Sequence, residues 1–351
     1  MTWSTANCAE RAFSRRRRAY GALDLGSNNC RLMIAVPRRR GFSVVDSFSR
    51  IVRLGEGIAT TGRISAAAEE RALEALRRCA EVAARWDLAG IRCVTTDAVR
   101  SAANGAAFVE RVRAETGLSL TVIGAEEEAA LAVRGCAGLV DRSAKQAIVF
   151  DIGGGSTEIS FTRALHRRGQ EPALKLTHMV SLPFGVVRLS DGLAPGGFAG
   201  MHYDGIRKRV ADVIRVHCDA EAFRTDDGHL IGTSGTSTSL AALAKGLTRY
   251  RRREIDGSWL SGRKIEDLIA KLFMMGLEGR QAQPCIGSGR ADLIMPGCAI
   301  LQGILDATGC DRVRVADRGL REGLISEMLT QSADVRSRRG QPRRGAAVPA
   351  E

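Results

Sequence analysis

Asp151-Ile152-Gly153-Gly154-Gly155-Ser156-Thr157-Glu158 lies between two short apolar runs, Ala147-Ile148-Val149-Phe150 and Ile159-Ser160-Phe161. Short apolar runs bounded by glycine read as buried strands. Three consecutive glycines in the turn between them let backbone N–H groups point outward. Such a concavity suits an anion, and phosphate is the commonest one. The carboxylates at the two ends of the turn would repel a phosphate on their own. They make sense with a divalent cation between them and the ligand. Taken alone, the stretch also reads as a plain glycine-rich hairpin, because short glycine patterns are weak signals.

A second stretch has the same form. Asp24-Leu25-Gly26-Ser27-Asn28-Asn29-Cys30-Arg31 follows an apolar run from Tyr20 to Leu23 and leads into Leu32-Met33-Ile34-Ala35-Val36. Both stretches read strand, Asp-apolar-Gly, small polar turn, strand. Their aspartates are 127 positions apart. That is too far for a solenoid repeat and suits two related lobes, a domain being about 100–150 residues. The expectation is a phosphate hairpin on each lobe, the two facing a shared cleft.

The 351 residues suffice for about two domains, and 44% of them are hydrophobic, enough for ordinary cores. No apolar run approaches the ~20 residues of a membrane span, so no membrane association is expected. The first 18 residues are basic but lack the apolar core of a signal peptide, and read as a disordered leader on a cytoplasmic protein. The nine cysteines include no C-x-x-C, which fits small buried residues in a reducing compartment. The net charge of +13 is concentrated at Arg15 to Arg18, Arg38 to Arg40, Arg249 to Arg253 and the tail from Arg336 to Arg344. A nucleic-acid partner is the less favoured explanation, since only 5% of residues are aromatic and no DNA- or RNA-binding signature occurs. A polymer of phosphates would use the same field, and a solvated basic surface accounts for it as well.

Along the first lobe, placed at 19–134, Gly41 to Val52 reads as a third strand. Ser65 caps a helix of about two dozen residues. Ile91 to Thr95 and Leu118 to Ile123 read as strands, and Phe108 to Thr116 as a helix. Glu126 to Arg134 reads as a helix whose first turn is three carboxylates. In the second lobe, placed at 135–330, Lys175 to Leu182 and His229 to Ile231 read as strands. The latter runs into Gly232-Thr233-Ser234-Gly235-Thr236-Ser237. Helices are expected at Tyr203 to Cys218, Leu240 to Lys245, Arg263 to Met275, Ala291 to Ala307 and Leu320 to Thr330, with a strand at Arg312 to Ala316. Residues 331–351 read as a disordered basic tail.

These stretches together resemble one family. Asp24 to Asn28 with Arg31, Thr96-Asp97-Ala98-Val99-Arg100, Glu127-Glu128-Ala129-Ala130-Leu131, and Asp151 to Glu158 are similar, in that order, to motifs of the exopolyphosphatase/guanosine pentaphosphate phosphatase (Ppx/GppA) family. Gly232 to Thr236, Arg290-Ala291-Asp292 and Gly319-Leu320-Arg321-Glu322-Gly323 resemble its later markers. The likeness spans about residues 20–330. It implies an α/β fold of the two-lobed sugar kinase/heat-shock-70/actin type (ribonuclease H-like), with mixed sheets flanked by helices around a central cleft. It also implies a homodimer. Asn29-Cys30 and Gly124-Ala125 depart from the family's usual residues, and neither removes a charged group. The long homologues carry a C-terminal helical domain, and this chain ends before one would fit.

Hydrolysing a terminal phosphoanhydride requires charge neutralisation, in-line geometry and an oriented water. The N–H groups around Gly26, Ser27 and Asn28, and around Gly153, Gly154, Gly155, Ser156 and Thr157, would cradle phosphates. Asp151 and Glu158 would hold Mg²⁺, with Asp24 reaching the same ion from the other lobe. Arg100 would contact phosphate bidentately and Arg31 would add a second cation. Glu128 best matches the family's catalytic glutamate and is the expected base, Glu127 being its competitor. Neighbouring carboxylates should raise its pKa toward a useful value. Charge complementing a helix N-terminus is the simpler account of Glu126 to Glu128. Ser234 and Thr236 lack a histidine to activate them and read as ligand cradle or helix cap, and Arg321-Glu322 as a structural ion pair or cap.

The expected function is Mg²⁺-dependent release of orthophosphate from inorganic polyphosphate. Guanosine pentaphosphate is the alternative substrate, although the low aromatic count offers no obvious stacking platform. An ATP-dependent kinase, or a non-catalytic sensor of polyphosphate or nucleotide, would fit the same fold.

Overall fold

The computed structural model describes residues 18–166, 172–191, 193–194, 197–198, 200–217 and 227–339, the last seven for backbone only. The leader from residue 1 to 17, the end of the helix expected at Cys218 and the tail from 340 lie outside the described residues.

The first sheet is built from β1 (Ala19–Leu25), β2 (Asn29–Pro37), β3 (Phe42–Ile51), β4 (Leu88–Thr95) and β5 (Leu120–Val122) in the order β3-β2-β1-β4-β5. β1 pairs antiparallel with β2 and parallel with β4, which pairs parallel with β5. The second sheet repeats this plan. It uses β6 (Gln146–Ile152), β7 (Thr157–Leu165), β8 (Ala173–Leu182), β9 (Gly228–Thr233), β10 (Trp259–Ser261) and β11 (Arg312–Val315), in the order β8-β7-β6-β9-β11-β10. The hairpin β6–β7 is antiparallel, β6–β9 and β9–β11 are parallel, and β10 adds an antiparallel edge. Asp24 and Asp151 therefore occupy equivalent ends of the central strands of two related sheets.

Helices α1 (Ala66–Ala83), α2 (Asp97–Ser101) and α3 (Gly105–Thr116) accompany the first sheet, and α4 (Ala125–Cys136) leads toward the second. Ser65 caps α1 through Ala68 N–H, as its sequence position requires. The helix is shorter than expected because Arg85 and Trp86 bond back to Val82 and Ala83 in tight turns. Its face of Ala68, Ala72, Leu73, Leu76 and Cys79 is buried on the sheet.

In the second lobe α5 (Val186–Ser190), α6 (Met201–His217), α7 (Ser234–Ala244), α8 (Gly262–Gln281) and α9 (Ile294–Thr308) surround the sheet. The apolar helix α9 is buried along most of its length and forms the core with β6, β9 and α7. Helix α7 starts at Ser234, six residues before the sequence-based estimate, because the Gly/Ser/Thr turn is itself its first turn. Met275 proved to be a true break: Gly276 is non-helical at φ 60 and a further helical stretch continues beyond it.

The last helix, α10 (Leu320–Arg339), differs from expectation twice. It continues nine residues past 330, where no glycine or proline interrupts it before Gly340. It also packs on the first sheet, although residues 320–330 read as second lobe. Leu320, Leu324, Ile325 and Met328 share a core with Tyr20, Ala22, Met33 and Val94. Where α10 crosses α4, glycines allow backbone contact: a Cβ on Gly135 would lie 2.0 Å from Gly319 O, and one on Gly323 2.1 Å from Leu131 O.

Candidate phosphate-binding cleft

A cavity of about 550 Å³ opens between the two sheets, walled by the turns after β1 and β6, by the start of α7 and by the segment leading into α10. The first turn closes through Gly26 N–H to Asn29 O at 2.9 Å, and its carbonyls are taken by the following loop, Val52 N–H to Asn28 O and Gly55 N–H to Ser27 O, both 2.8 Å. The second closes through Gly153 N–H to Ser156 O at 2.9 Å, and α5 fixes it by donating from Val186 to Gly153 O and from Val187 to Gly154 O. Among the described residues, the N–H groups of Ser27, Asn28, Gly154 and Gly155 have no protein acceptor. The carbonyls are spent and the donors are left, which is the arrangement an anion requires. The side-chain oxygens Oδ1 of Asn28 and Asn29 are also buried without a partner.

The two turns touch. A Cβ on Gly154 would lie 3.1 Å from Asn28 N, and one on Gly155 1.9 Å from Asp97 Oδ2. Below the turns, Arg53 reaches across the lobes to Asp292 at 2.8 Å and to Gly289 O at 3.2 Å. Asp191 accepts from Gly57 and Ala59 N–H at 3.0 and 3.1 Å.

Carboxylates converge on the cavity from both lobes. Asp24 stands across the β1–β2 pair from Arg31, and Asp151 across β6–β7 from Glu158. Burial raises Asp24, with Arg31 and Arg321 opposing the shift. Burial and then the Glu158 charge push Asp151 up to about 7. Glu128, on the first turn of α4, is raised well above the carboxylate range by burial, then by Glu158, Asp151 and Asp24. Its Oε2 is buried, has no hydrogen bond, and lies 3.9 Å from Arg100 Nη1. Glu127 points away from the cavity: it is exposed and pairs with Arg92 at 2.9 Å. Of the two candidate bases, Glu128 alone reaches the cavity.

Several expected site residues stand elsewhere. Thr157 is fully buried and its hydroxyl donates to Phe184 O at 2.5 Å, a turn lock. Glu158 is 2% exposed, accepts from Ser181 Oγ at 2.9 Å, and lies behind the turn rather than in the cavity wall. Arg100 does not line the cavity either. It donates to Ile123 O at 2.8 Å and faces Asp97 and Glu128, so it braces the carboxylate instead of presenting a free fork. Ser234 donates to Ile152 O at 2.7 Å, which removes it as a nucleophile. Glu322 caps Gly319 N–H and accepts from Arg252, as its cap reading anticipated.

The structure adds residues that the sequence reading does not place in the site, among them Arg321, which reads with Glu322 as a structural ion pair or cap. Arg290 and Arg321 line the cavity, and among the described residues neither guanidinium has a hydrogen bond or an ion pair. Burial depresses both, and the Arg31 charge adds to it. Their motifs were visible as markers, but no local pattern says that they turn inward. Tyr250 also lines the cavity, in the second lobe.

The acid set accommodates Mg²⁺ in one way. Among the described residues, no three His, Cys, Asp or Glu side chains converge closely enough to hold a metal by themselves. Mg²⁺ commonly binds through one or two carboxylates plus phosphate oxygens and water. Asp24 and Asp151, hard oxygen donors whose charge burial disfavours and a cation would restore, fit that demand.

Comparison with known proteins matches the model of the Ppx/GppA phosphatase family to residues 33–332. Exopolyphosphatase 2 of Mycobacterium tuberculosis is 29% identical, covering 86% of this chain and 96% of its own. Exopolyphosphatase 1 of Mycobacterium bovis is 28% identical over 90% of this chain and 89% of its own. A bifunctional 3-dehydroquinate synthase/phosphatase of Fusobacterium nucleatum is 27% identical, and the chain spans 46% of its length. The crystal structure of the Aquifex aeolicus Ppx/GppA family member superposes with a TM-score of 0.72 at 26% identity, over 90% of this chain and 98% of that one.

Proposed function

We propose that this chain, which belongs to the Ppx/GppA phosphatase family, releases orthophosphate from the end of inorganic polyphosphate by a water that Glu128 deprotonates. One observation carries the reading. Glu128 Oε2 is a buried carboxylate oxygen with no hydrogen bond, 3.9 Å from the Arg100 guanidinium, and its pKa is raised by burial and then by Glu158 and the aspartates of both turns. A purely structural buried carboxylate would have been given a hydrogen bond. A base that must hold a proton briefly near neutral pH is served by this surrounding.

In this mechanism the free N–H groups of the two turns bind the terminal phosphates and Arg31, Arg290 and Arg321 balance their charge. Asp24 and Asp151 would hold Mg²⁺, with Glu158 behind Asp151 tuning its protonation. Bound there, the ion would neutralise charge developing on the phosphoryl oxygens. Arg100 orients Glu128, whose Oε2 takes the proton of the attacking water. Closure of the lobes through Arg53–Asp292 and Asp191 excludes bulk water.

Purified protein given polyphosphate and Mg²⁺ should release orthophosphate, and EDTA should stop it. Tight binding without release would make the chain a sensor. Transfer of the phosphate to a sugar or acetate from ATP would make it a kinase.

Guanosine pentaphosphate is the second reading, favoured by Tyr250. It supplies, at the second-lobe end of the cavity, the aromatic surface a nucleoside needs. Comparing rates on the two substrates decides between them. A homodimer, which the family likeness implies, and a reducing cytoplasm, with which the seven described free cysteines agree, complete the proposal. Light scattering tests the oligomer.

A further inference from the structure

The cavity does not end at the turns. Its wall includes Val44, Ser47 and Ser49, three exposed residues of the edge strand β3. They face the same way because of an irregularity in the β2–β3 pairing. Ala35 pairs with Val44, Met33 with Ser47 and Arg31 with Ser49, and the register shifts between Ile34 and Ala35. Without that shift Val44 would face the opposite side from Ser47 and Ser49. A continuous face of β3 thus runs from Arg31, in the cavity, to the hairpin tip. At the tip stand Arg38, Arg39 and Arg40, all exposed. Arg38 is steadied by Ser43 Oγ at 2.9 Å. Arg39 and Arg40 have no partner among the described residues. Asp46, the strand's carboxylate, lies on the other face, where Trp86 Nε1 donates to it at 3.1 Å.

We propose that this face of β3 and the Arg38–Arg40 tip bind the distal part of a polyphosphate chain whose end occupies the cleft. Ser49 is eight chain steps from Gly41, a span of about 26 Å at ~3.3 Å per residue. The tip is therefore out of reach of a short oligophosphate and within reach of a long one. Free arginines at the end of a track that carries no carboxylate among the described residues hold a flexible polyanion by charge, so its contribution depends on chain length and on salt. Val44, Ser47 and Ser49 offer no aromatic surface, and Phe42, the aromatic on the same face, is packed against the core of Met33 and Ala35, which favours a bare phosphate polymer over a single-stranded nucleic acid. This inference rests on the polyphosphate reading of the cleft.

The test uses full-length protein carrying Glu128→Gln, end-labelled polyphosphate several hundred units long, and fluorescence anisotropy at low and high salt. Adding Arg39→Ala and Arg40→Ala should weaken long-chain binding at least about fivefold at low salt, and much less at high salt. Competition by tripolyphosphate should shift less than about twofold. Arg39→Lys with Arg40→Lys should restore most of the long-chain affinity, because charge is what the tip supplies. An equal loss for tripolyphosphate and long polyphosphate, or no loss for either, overturns the proposal. So does an oligodeoxythymidine that binds the tip as tightly as polyphosphate, which would make it a nucleic-acid surface. If wild-type protein releases no orthophosphate, the hydrolytic reading fails on its own, and the arginine dependence of binding still decides the track.

Discussion

Gly154 and Ser27 belong to different lobes, yet a Cβ on the glycine would lie only 2.9 Å from the serine's Cβ. Closure of the cleft thus depends on a missing methyl. Gly154→Ala should disfavour closure of the cleft by about 1–3 kcal/mol. Because the lobes can open rather than strain, the melting temperature should hardly move. The loss should appear in kcat/KM, by about tenfold to a hundredfold. Full activity in this variant would mean the working state is more open than the one described.

Glu128→Gln keeps the shape of the side chain and removes the proposed base. Turnover should fall about 10²–10⁴-fold, with polyphosphate binding retained. Glu127→Gln should be nearly silent, since that residue is exposed and paired with Arg92. Steady-state phosphate release from the two variants side by side checks the assignment, and the reverse outcome would shift the base to Glu127.

Protonation of the cleft should register in stability. Asp24, Asp151 and Glu128 all hold protons more tightly folded than unfolded, Asp151 with a pKa near 7 against an ordinary 3.8. Their contribution is fully present below the unfolded values and is lost as the pH rises through the folded ones. Without metal, the melting temperature should decline from about pH 5 to about pH 8. Mg²⁺ with tripolyphosphate should flatten that decline, because a cation offsets the repulsion. Calorimetry across the range tests it, and stability that climbs over the same window would contradict the arrangement of acids.

Asp191 joins the lobes through two backbone N–H groups of the 57–59 segment. Asp191→Ala should cost about 1–2 kcal/mol, near the value of two ordinary hydrogen bonds. The more telling readout is shape: small-angle scattering should show a larger radius of gyration, and KM should rise more than kcat falls. An unchanged radius would show that Asp191 does not hold the lobes closed.

Gly135→Ala should be destabilising by more than about 2 kcal/mol, since the new methyl would meet Gly319 O. Turnover of the protein that still folds should fall as well, because α4 carries Glu128. Urea unfolding of the variant, compared with Ala125→Ser near the other end of the helix, separates the crossing from general effects on α4.

The two glycine turns were legible because each packs its signal into a few neighbouring residues: an aspartate ending an apolar strand, glycine, then small polar side chains. Glu128 was distinguishable from Glu127 only through resemblance, since both fit the first turn of a helix. The register that turns one inward and gives the other to Arg92 is a tertiary fact. Arg100 was legible as a cation but not as a brace, because its partner Ile123 O belongs to a different segment. Arg290, Arg321 and Tyr250 were hidden for the same reason. An arginine on a helix approach and a tyrosine in an arginine run look like surface until the lobes are assembled. Thr157 and Glu158 erred in the opposite direction: their motif marked them for the ligand, and their burial assigns them to the turn's scaffold.

The return of α10 to the first sheet sets the order in which the molecule can be made. Tyr20, Ala22 and Met33 emerge from the ribosome early, but the surface that covers them, Leu320 to Met328, is synthesised about 290 residues later. During translation the early sheet must wait with that face uncovered, while the intervening half has all its own core available. A nascent chain should therefore gain protease resistance first in its middle, and its amino-terminal portion should be the one that chaperones hold.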